Sequence, residues 1–336
     1  MTAPDEQQWQ QVVDVLADAD RVALACHVSP DGDALGSMLA LAAGLRSRGT
    51  EVVASWGGEP FEVPAAYPFL PAVELLVAPA DFPRAPEVFV TLDSGSPDRL
   101  GILADRTVTA DCTIVIDHHS TNTRYGGVNL VDESAAATAV LVEGLLERLD
   151  VALTAEIASA LYTGLVTDTG SFRYLSTTPS VHAMAARLLA TGIRHDLISR
   201  AIYDTAPFGW VQLLGRACER ARLEPAAVGG LGLAWTVIGA GDLTATGLGL
   251  ADVEGVIDVL RTAREAEVAV VVKADPVAGA WKVSTRSKGA VDVGAVCAEL
   301  GGGGHRFAAG FSSGDEPVAT IDRLRAVLAR APHLPA

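Results

Sequence analysis

Acidic and imidazole side chains recur in four short segments of the first half of the chain. In chain order they are His27, Asp31, Asp33, Asp93, Asp117, His118, His119 and Asp168. A lone aspartate after a strand is most often a helix cap, but carboxylates gathered together raise one another's pKa and need cations to neutralise them. Oxygen and imidazole ligands without thiolate favour Mn²⁺ or Mg²⁺ over Zn²⁺, and their number suits two ions about 3.5 to 4 Å apart. Iron and cobalt are further candidates for the metal.

The elements predicted around these residues explain how they could meet. Short β-branched runs alternate with amphipathic helical patterns, which predicts an α/β domain with a doubly wound, mainly parallel sheet. The predicted strands are 22–26, 51–55, 88–92 and 112–116, and the later helices are 134–148, 154–166 and 179–190. Ligands bind beyond the carboxyl ends of such strands. His27, Asp93 and the triplet 117–119 each follow a strand directly, and Asp168 follows a helix.

The remainder of the chain predicts a second, smaller domain. Residues 196–223 have a helical pattern that breaks at Ala206-Pro207, and Pro225 with Gly229-Gly230 marks a boundary. Beyond it we expect strands 231–238, 268–274 and 280–285 and helices 252–264, 292–300 and 317–330. The predicted organisation is therefore a catalytic domain 1–195, a helical linker 196–225 and a mixed α/β domain 226–336.

Length and composition narrow the class of protein. The chain has 336 residues, of which 49% are apolar, so it can bury a large core and exceeds one small module. Its net charge of −16 argues against binding long nucleic acid, which requires many basic residues. No apolar stretch is long enough to span a membrane, and the N-terminus lacks a leader pattern. Four widely spaced cysteines favour buried free thiols, and we expect a cytoplasmic protein.

The motifs together resemble those of the DHH phosphoesterase superfamily. The pattern is His27-x-x-x-Asp31-x-Asp33, then Asp93, then Asp117-His118-His119, then Asp168. Residues 284–287 (Ser-Thr-Arg-Ser) and 301–305 (Gly-Gly-Gly-Gly-His) are similar to motifs of the DHH-associated C-terminal domain. The resemblance extends from about residue 8 to residue 330.

This resemblance implies a binuclear Mn²⁺ site, with Mg²⁺ or Co²⁺ as alternatives. The implied ligands are His27 and Asp31 for one ion, Asp33, His118 and Asp168 for the other, and Asp93 for both. His119 would contact the substrate phosphate or leaving group. Asp117 would orient His118, since a ligand imidazole needs a fixed tautomer.

The C-terminal motifs imply a substrate-binding role for the second domain. The implied residues are Arg286, Ser287, Gly302, Gly303, Gly304 and His305. Glycines let the backbone approach an anion, and an arginine grips phosphate bidentately. We therefore expect this domain to hold the nucleotide end of a substrate while the first domain cleaves it.

Features that are absent narrow the choice within the superfamily. The chain lacks the membrane and sensor segments of anchored cyclic-dinucleotide phosphodiesterases. Among the remaining types, the chain resembles the NrnA type, which hydrolyses short oligoribonucleotides, 3′-phosphoadenosine 5′-phosphate (pAp) and dinucleotides such as pApA and cyclic di-AMP. A RecJ-like single-strand exonuclease, an inorganic pyrophosphatase, a non-enzymatic nucleotide-binding regulator and a metal-dependent amide hydrolase are the alternatives. A homodimer is left open.

Overall fold

The computed structural model describes residues 3–59 and 61–334 and divides into two compact units. One unit ends at Thr205 and the other begins at Ala206, within the stretch 196–225 that was expected to join two domains. Among the described residues, no helix is both long and apolar enough to cross a bilayer.

The first unit contains a five-stranded sheet in the order β2-β1-β3-β4-β5, in which every neighbouring pair is parallel. The strands are β1 (Arg21–Cys26), β2 (Glu51–Trp56), β3 (Val88–Leu92), β4 (Cys112–Asp117) and β5 (Val128–Val131). All five residues of β3 are buried, as expected for a strand covered on both faces. The carboxyl ends of β1, β3 and β4 therefore lie side by side at one edge.

The described residues of this unit form seven α-helices around the sheet. They are α1 (Glu6–Asp18), α2 (Gly32–Ser47), α3 (Arg106–Thr109), α4 (Thr138–Arg148), α5 (Ala155–Asp168), α6 (Pro179–Ala190) and α7 (His195–Tyr203). Every residue of helix α2 from Gly32 to Leu45 is buried. It packs closely on α5, because a Cβ added to Gly36 would lie 2.4 Å from the carbonyl oxygen of Ala160.

The second unit contains a six-stranded mixed sheet in the order β10-β11-β9-β8-β7-β6, in which only β7 and β8 are parallel. Its strands are β6 (Arg222–Glu224), β7 (Leu233–Ile238), β8 (Val268–Asp275), β9 (Ala280–Ser287), β10 (Gly303–His305) and β11 (Ala308–Ser313). Its helices are α8 (Phe208–Glu219), α9 (Ala240–Thr246), α10 (Val256–Leu260), α11 (Val293–Glu299) and α12 (Pro317–Leu328). The predicted fold class is thus confirmed in both units.

The predicted elements differ from the structure at several boundaries. Helix α4 begins at Thr138 instead of residue 134, because the Asp132 carboxylate accepts bonds from the amide and hydroxyl of Ser134 and forms a turn there. The pattern missed β11, whose sequence AAGFSS has no β-branched residue. Cys26 and Cys297 are buried, but Cys218 is exposed, so the prediction of four buried thiols was wrong there.

Candidate metal centre

The acidic and histidine residues of the first unit meet at the carboxyl edge of its sheet. His27 follows β1, Asp93 follows β3, and Asp117 is the last residue of β4. The last residue of α5 is Asp168. Three clusters of three potential ligands result, each with its ligand atoms within 4.8 Å of one another. Two of them share no residue, one of His27, Asp31 and Asp93 and the other of Asp33, His118 and Asp168, and the third consists of Asp93, Asp117 and His119.

Asp93, a member of the cluster with His27 and Asp31, also approaches His118 of the cluster with Asp33 and Asp168. Its Oδ2 is 3.6 Å from Nε2 of His27, and its Oδ1 is 3.6 Å from Nε2 of His118. The residue adopts a left-handed backbone conformation with φ of 55°, which aspartate tolerates better than most residues. Each oxygen of one carboxylate thus faces a different histidine, as a ligand shared by two ions would.

The ring orientation of the two histidines is set by backbone carbonyls. Nδ1 of His27 lies 2.8 Å from the carbonyl oxygen of Val28, and Nδ1 of His118 lies 3.1 Å from that of Ala135. A carbonyl oxygen only accepts, so Nδ1 is the protonated nitrogen in both rings. Nε2, whose lone pair can bind a cation, is therefore the nitrogen that faces the carboxylates.

Asp33 is held by the start of helix α4. Its Oδ2 accepts a 2.6 Å bond from the amide of Thr138, and its Oδ1 accepts bonds from the amide of Ala139 and the hydroxyl of Ser37. The carboxylate is fully buried, and a Cβ on Gly164 would lie 2.6 Å from its Oδ1. The positive end of the α4 dipole favours the charged form of this carboxylate.

Thr138 connects the start of α2 with the loop after β3, a role that the residue types alone did not predict. While its amide binds Asp33, its hydroxyl donates a 2.9 Å bond to Oδ1 of Asp93. The side chain is fully buried. A threonine at a helix start is common, so its sequence carried no distinctive signal.

Asp117 contacts the ring of His119, whereas we expected it to orient His118. Its Oδ1 lies 2.7 Å from Nδ1 of His119 and accepts a bond from the backbone amide of His118. The His118 ring is oriented instead by Ala135. Successive side chains at the end of a strand point in different directions, so only the second histidine reaches back to Asp117.

Burial and the nearby carboxylates shift the pKa values of the two buried histidines, His27 and His118. Burial lowers the pKa of His27, but its contact with Asp93 and the charge of Asp31 outweigh this and raise the pKa to about 9. Burial also lowers the pKa of His118, which the charges of Asp168 and Asp93 raise to about 10. Both rings thus bind a proton readily when no other cation is present.

The carboxylates are shifted in opposite directions. Burial and then the charges of Asp93 and Asp168 raise the pKa of Asp33 well above its usual range. Burial raises the pKa of Asp168 to about 7, although His118 opposes the change. Burial also acts to raise the pKa of Asp93, but contact with His27 and the other histidines lowers it. The cluster requires positive charge, and its oxygen and imidazole donors fit hard divalent cations.

In the second unit, the structure aligns Arg286 with His305. Ala308 of β11 is the register partner of both, and residues directly opposite share a face of a sheet. Nη1 of Arg286 donates to the carbonyl oxygen of Thr285. Among the residues that the structure describes, no acceptor is within reach of its buried Nε.

Two of the three predicted substrate-binding glycines have a structural reason to be glycine. A Cβ on Gly302 would lie 2.1 Å from the carbonyl oxygen of Gly310, and one on Gly304 would lie 2.7 Å from that of Ala308. Gly303 has no neighbour within 4 Å of the Cβ position. The close approach of β11 thus requires glycine at positions 302 and 304 without any bound anion.

Ser287 lies on the other face of β9 from Arg286, because side chains alternate along a strand. It is 2% exposed, and its hydroxyl donates a 2.6 Å bond to Oε1 of Glu267. The Ser287 hydroxyl oxygen itself accepts bonds from the amides of Gly289 and Val291. The structure therefore does not bring Ser287 together with Arg286 and His305 as a surface contact.

Family models match both units. The model described as the DHH family, N-terminal domain, matches residues 21–165, and that of the DHHA1 domain matches residues 245–331. The first match contains seven of the eight residues described at the carboxyl edge, and the second contains Arg286 and His305.

Relatives of known name align along most of the chain. The bifunctional oligoribonuclease and PAP phosphatase NrnA of Thermus thermophilus is 36% identical over 318 residues, which are 92% of this chain and 90% of the relative. The probable bifunctional oligoribonuclease and PAP phosphatase NrnA of Streptococcus mutans is 25% identical over 295 residues, 88% of this chain and 90% of the relative. A solved structure of an exopolyphosphatase-related protein from Bacteroides fragilis superposes with a TM-score of 0.85 at 22% identity, covering 96% of each chain, and so shares the fold.

Proposed function

Because the chain belongs to the DHH family, we propose that it is a metal-dependent phosphoesterase that hydrolyses short oligoribonucleotides and pAp. The observation that carries the proposal is the pair of ligand clusters joined by Asp93. The 36% identical relative, named as an oligoribonuclease and PAP phosphatase, supports the substrate class. Linear and cyclic dinucleotides such as pApA and cyclic di-AMP are chemically similar substrates that we include in the proposal.

Six side chains would hold two Mn²⁺ ions, or Mg²⁺ or Co²⁺ in their place. We assign His27 and Asp31 to one ion, Asp33, His118 and Asp168 to the other, and Asp93 to both. When bound, such a pair of cations stabilises the charge of a phosphoryl transition state and lowers the pKa of water.

His119 is proposed to contact the reacting phosphate or the leaving oxygen. Its Nδ1 is engaged by Asp117, so any contact of the ring with substrate is made through Nε2. Asp117 keeps that ring in one orientation, which is the usual task of a buried carboxylate beside a working histidine. We assign no metal to either residue.

The second unit is proposed to hold the part of the substrate that does not react. Arg286 and His305 share one face of the sheet, and the buried Nε of Arg286 is a donor that a phosphate oxygen would satisfy. The backbone of Gly303 and its neighbouring glycines, 302 and 304, lies beside them. Ser287 would support this edge through its buried hydrogen bonds.

A turnover assay tests the proposed substrates. The full chain with Mn²⁺ is incubated with pAp, pApA, cyclic di-AMP, RNA of 2 to 24 nucleotides, pyrophosphate and a peptide library. We expect hydrolysis of pAp and short RNA. Turnover of pyrophosphate alone, of peptides alone or of no compound would overturn the proposal in favour of a pyrophosphatase, an amide hydrolase or a nucleotide-binding regulator.

Metal content tests the ligand assignment separately. A shared ligand serves both ions, so Asp93→Ala should lose both, whereas Asp31→Ala should retain one. Mass spectrometry of the metal content decides between them. Retention of two ions in Asp93→Ala would show that Asp93 does not bridge the ions.

A further inference from the structure

Asn122 lies in the loop after β4, three residues beyond His119, and its side-chain amide is fully bonded. Its Nδ2 donates a 2.5 Å bond to Oδ2 of Asp117 and a 3.2 Å bond to the carbonyl oxygen of Ser94. Its Oδ1 accepts a 2.6 Å bond from the amide of Arg124. This amide therefore connects the buried carboxylate at the end of β4 with the loop that follows β3.

The two carboxylate oxygens of Asp117 accept hydrogen bonds from different side chains, one from His119 and the other from Asn122. The residue has no exposed surface. Its Oδ1 accepts bonds from the amide of His118 and from Nδ1 of His119, and its Oδ2 accepts the bond from Asn122. A buried carboxylate oxygen without a donor is costly and draws the group towards other partners. Asn122 satisfies the oxygen that the histidine leaves, and so fixes the rotation of the carboxylate.

The loop that carries Asn122 has independent anchors. The hydroxyl oxygen of Tyr125 lies 2.8 Å from the hydroxyl of Thr91 and 3.1 Å from the carbonyl oxygen of Ser94, and the amide of Thr123 donates to the carbonyl oxygen of Gly95. Because these bonds do not involve the Asn122 side chain, its removal should leave the loop in place. The effect of substituting Asn122 can therefore be attributed to the loss of its side-chain hydrogen bonds.

We propose that Asn122 is a positioning residue that acts through Asp117 to keep the His119 ring in one orientation and one tautomer. The inference rests on the proposed function for the role of His119 in turnover, but the chain of hydrogen bonds does not depend on that function. Asn122 contacts neither the six proposed metal ligands nor, on this assignment, the substrate.

Nuclear magnetic resonance of the histidine ring tests the positioning directly. The full chain, labelled with ¹⁵N-histidine and loaded with diamagnetic Mg²⁺, is compared with Asn122→Ala, and the His119 signals are assigned by their loss in His119→Gln. We expect a single tautomer protonated at Nδ1 in the original chain and a mixture of tautomers in Asn122→Ala. Unchanged His119 signals in Asn122→Ala would overturn the proposal, whatever the substrate proves to be.

A double-mutant cycle tests the consequence for turnover. Loss of a residue that orients a working group typically costs about 10- to 100-fold. Asn122→Ala should lower kcat by roughly this factor with KM changed less than about threefold and two metal ions retained. In the His119→Ala background the same change should have no further effect, because its target is gone. Independent losses that multiply would contradict the proposed route through His119.

Asn129→Ala is the matched control. Asn129 lies in β5, and among the described residues its side chain bonds to the amide and carbonyl of Gly126 alone. It should leave both kcat and the His119 signals unchanged. If the original chain turned over none of the nucleotides, the proposed function would fail, while the resonance experiment would still decide the role of Asn122.

Discussion

The orientation of the carboxylates in the candidate site depends on residues that bind no substrate. Asp33, at the start of α2, and Asp93, after β3, are held together by one residue, Thr138, through its amide and its hydroxyl. Asp117 is held in the same way by a residue of the following loop. A site of repelling carboxylates keeps its geometry only when each oxygen has a donor.

Thr138→Val should weaken metal binding. Valine keeps the β-branched shape and the amide bond to Asp33 but removes the donor to Asp93, so that carboxylate can rotate. We expect Mn²⁺ affinity to fall by about 10- to 100-fold, as measured by competition with a metal-chelating dye. Thr138→Ser, which keeps the hydroxyl, should retain most of the affinity. Equal affinity in Thr138→Val and the original chain would contradict the role of the hydroxyl.

Metal binding should strengthen as pH rises. Without metal, the pKa values of His27 and His118 are raised to about 9 and 10, and that of Asp168 to about 7, so these groups carry protons at neutral pH. Ligands must lose those protons to bind a cation, and acidification therefore opposes binding. Calorimetric titration with Mn²⁺ in two buffers of different ionisation enthalpy should show proton release, roughly one proton or more per ion. An affinity that is equal at pH 6.5 and pH 8.5 would be incompatible with these shifts.

At the scale of the elements, the contact of α2 with α5 brings the metal ligands together. Asp31 and Asp33 lie at the start of α2, and Asp168 is the last residue of α5. The two helices approach where Gly36 meets the backbone of Ala160. The arrangement of the metal ligands therefore depends on Gly36, a small residue at the buried crossing of α2 and α5, about one helical turn after Asp33.

Gly36→Ala should destabilise the first unit. The added Cβ would lie 2.4 Å from a backbone oxygen, which cannot move as a side chain would, and overpacking of this kind costs about 1 to 3 kcal/mol. Calorimetry of the full chain should show a lowered unfolding temperature. Gly215→Ala in α8, where no atom lies within 4 Å of the Cβ position, is the control and should not lower any transition. An unfolding temperature unchanged in Gly36→Ala would refute the close crossing.

Substitutions of the glycines in and just before strand β10 can separate effects on folding from effects on substrate binding. Gly303→Ala places its Cβ in open space and should leave stability unchanged, whereas Gly302→Ala meets the carbonyl oxygen of Gly310 and should reduce it. If the backbone of β10 approaches the substrate, Gly303→Ala should raise KM for pAp with kcat little changed. Steady-state kinetics and thermal unfolding of both variants decide this. A KM equal to that of the original chain would remove Gly303 from the proposed substrate contacts.

For the whole molecule, charge should set the length of substrate that is accepted. The chain carries a net charge of −16, so bound cations and residues such as Arg286 provide positive potential only locally. Each further phosphate of a long RNA should gain little attraction and meet repulsion. We expect efficiency to be highest for about two to five nucleotides and the penalty on longer RNA to shrink at higher salt, which screens the repulsion. Processive degradation of a 24-mer as fast as a dimer would instead indicate a RecJ-like exonuclease.

The amino-acid sequence by itself determined which residues gather at the candidate metal centre. His27, Asp93 and Asp117 each fall at the end of a strand, and parallel strands place those ends along one edge whatever the rest of the packing. That rule needs only chain order and the period of the strands. For the same reason the fold class of both units was predicted correctly, although the strands β5, β6, β10 and β11 were missed.

Only the tertiary structure decided how those residues are held. The bond from Thr138 to Asp33 joins residues 105 positions apart, and the choice of His119 over His118 as the partner of Asp117 depends on side-chain directions. The same holds for Gly302 and Gly304, which are required by the neighbouring strand β11. Such contacts follow from the packing of distant segments, and no local pattern of residue types records them.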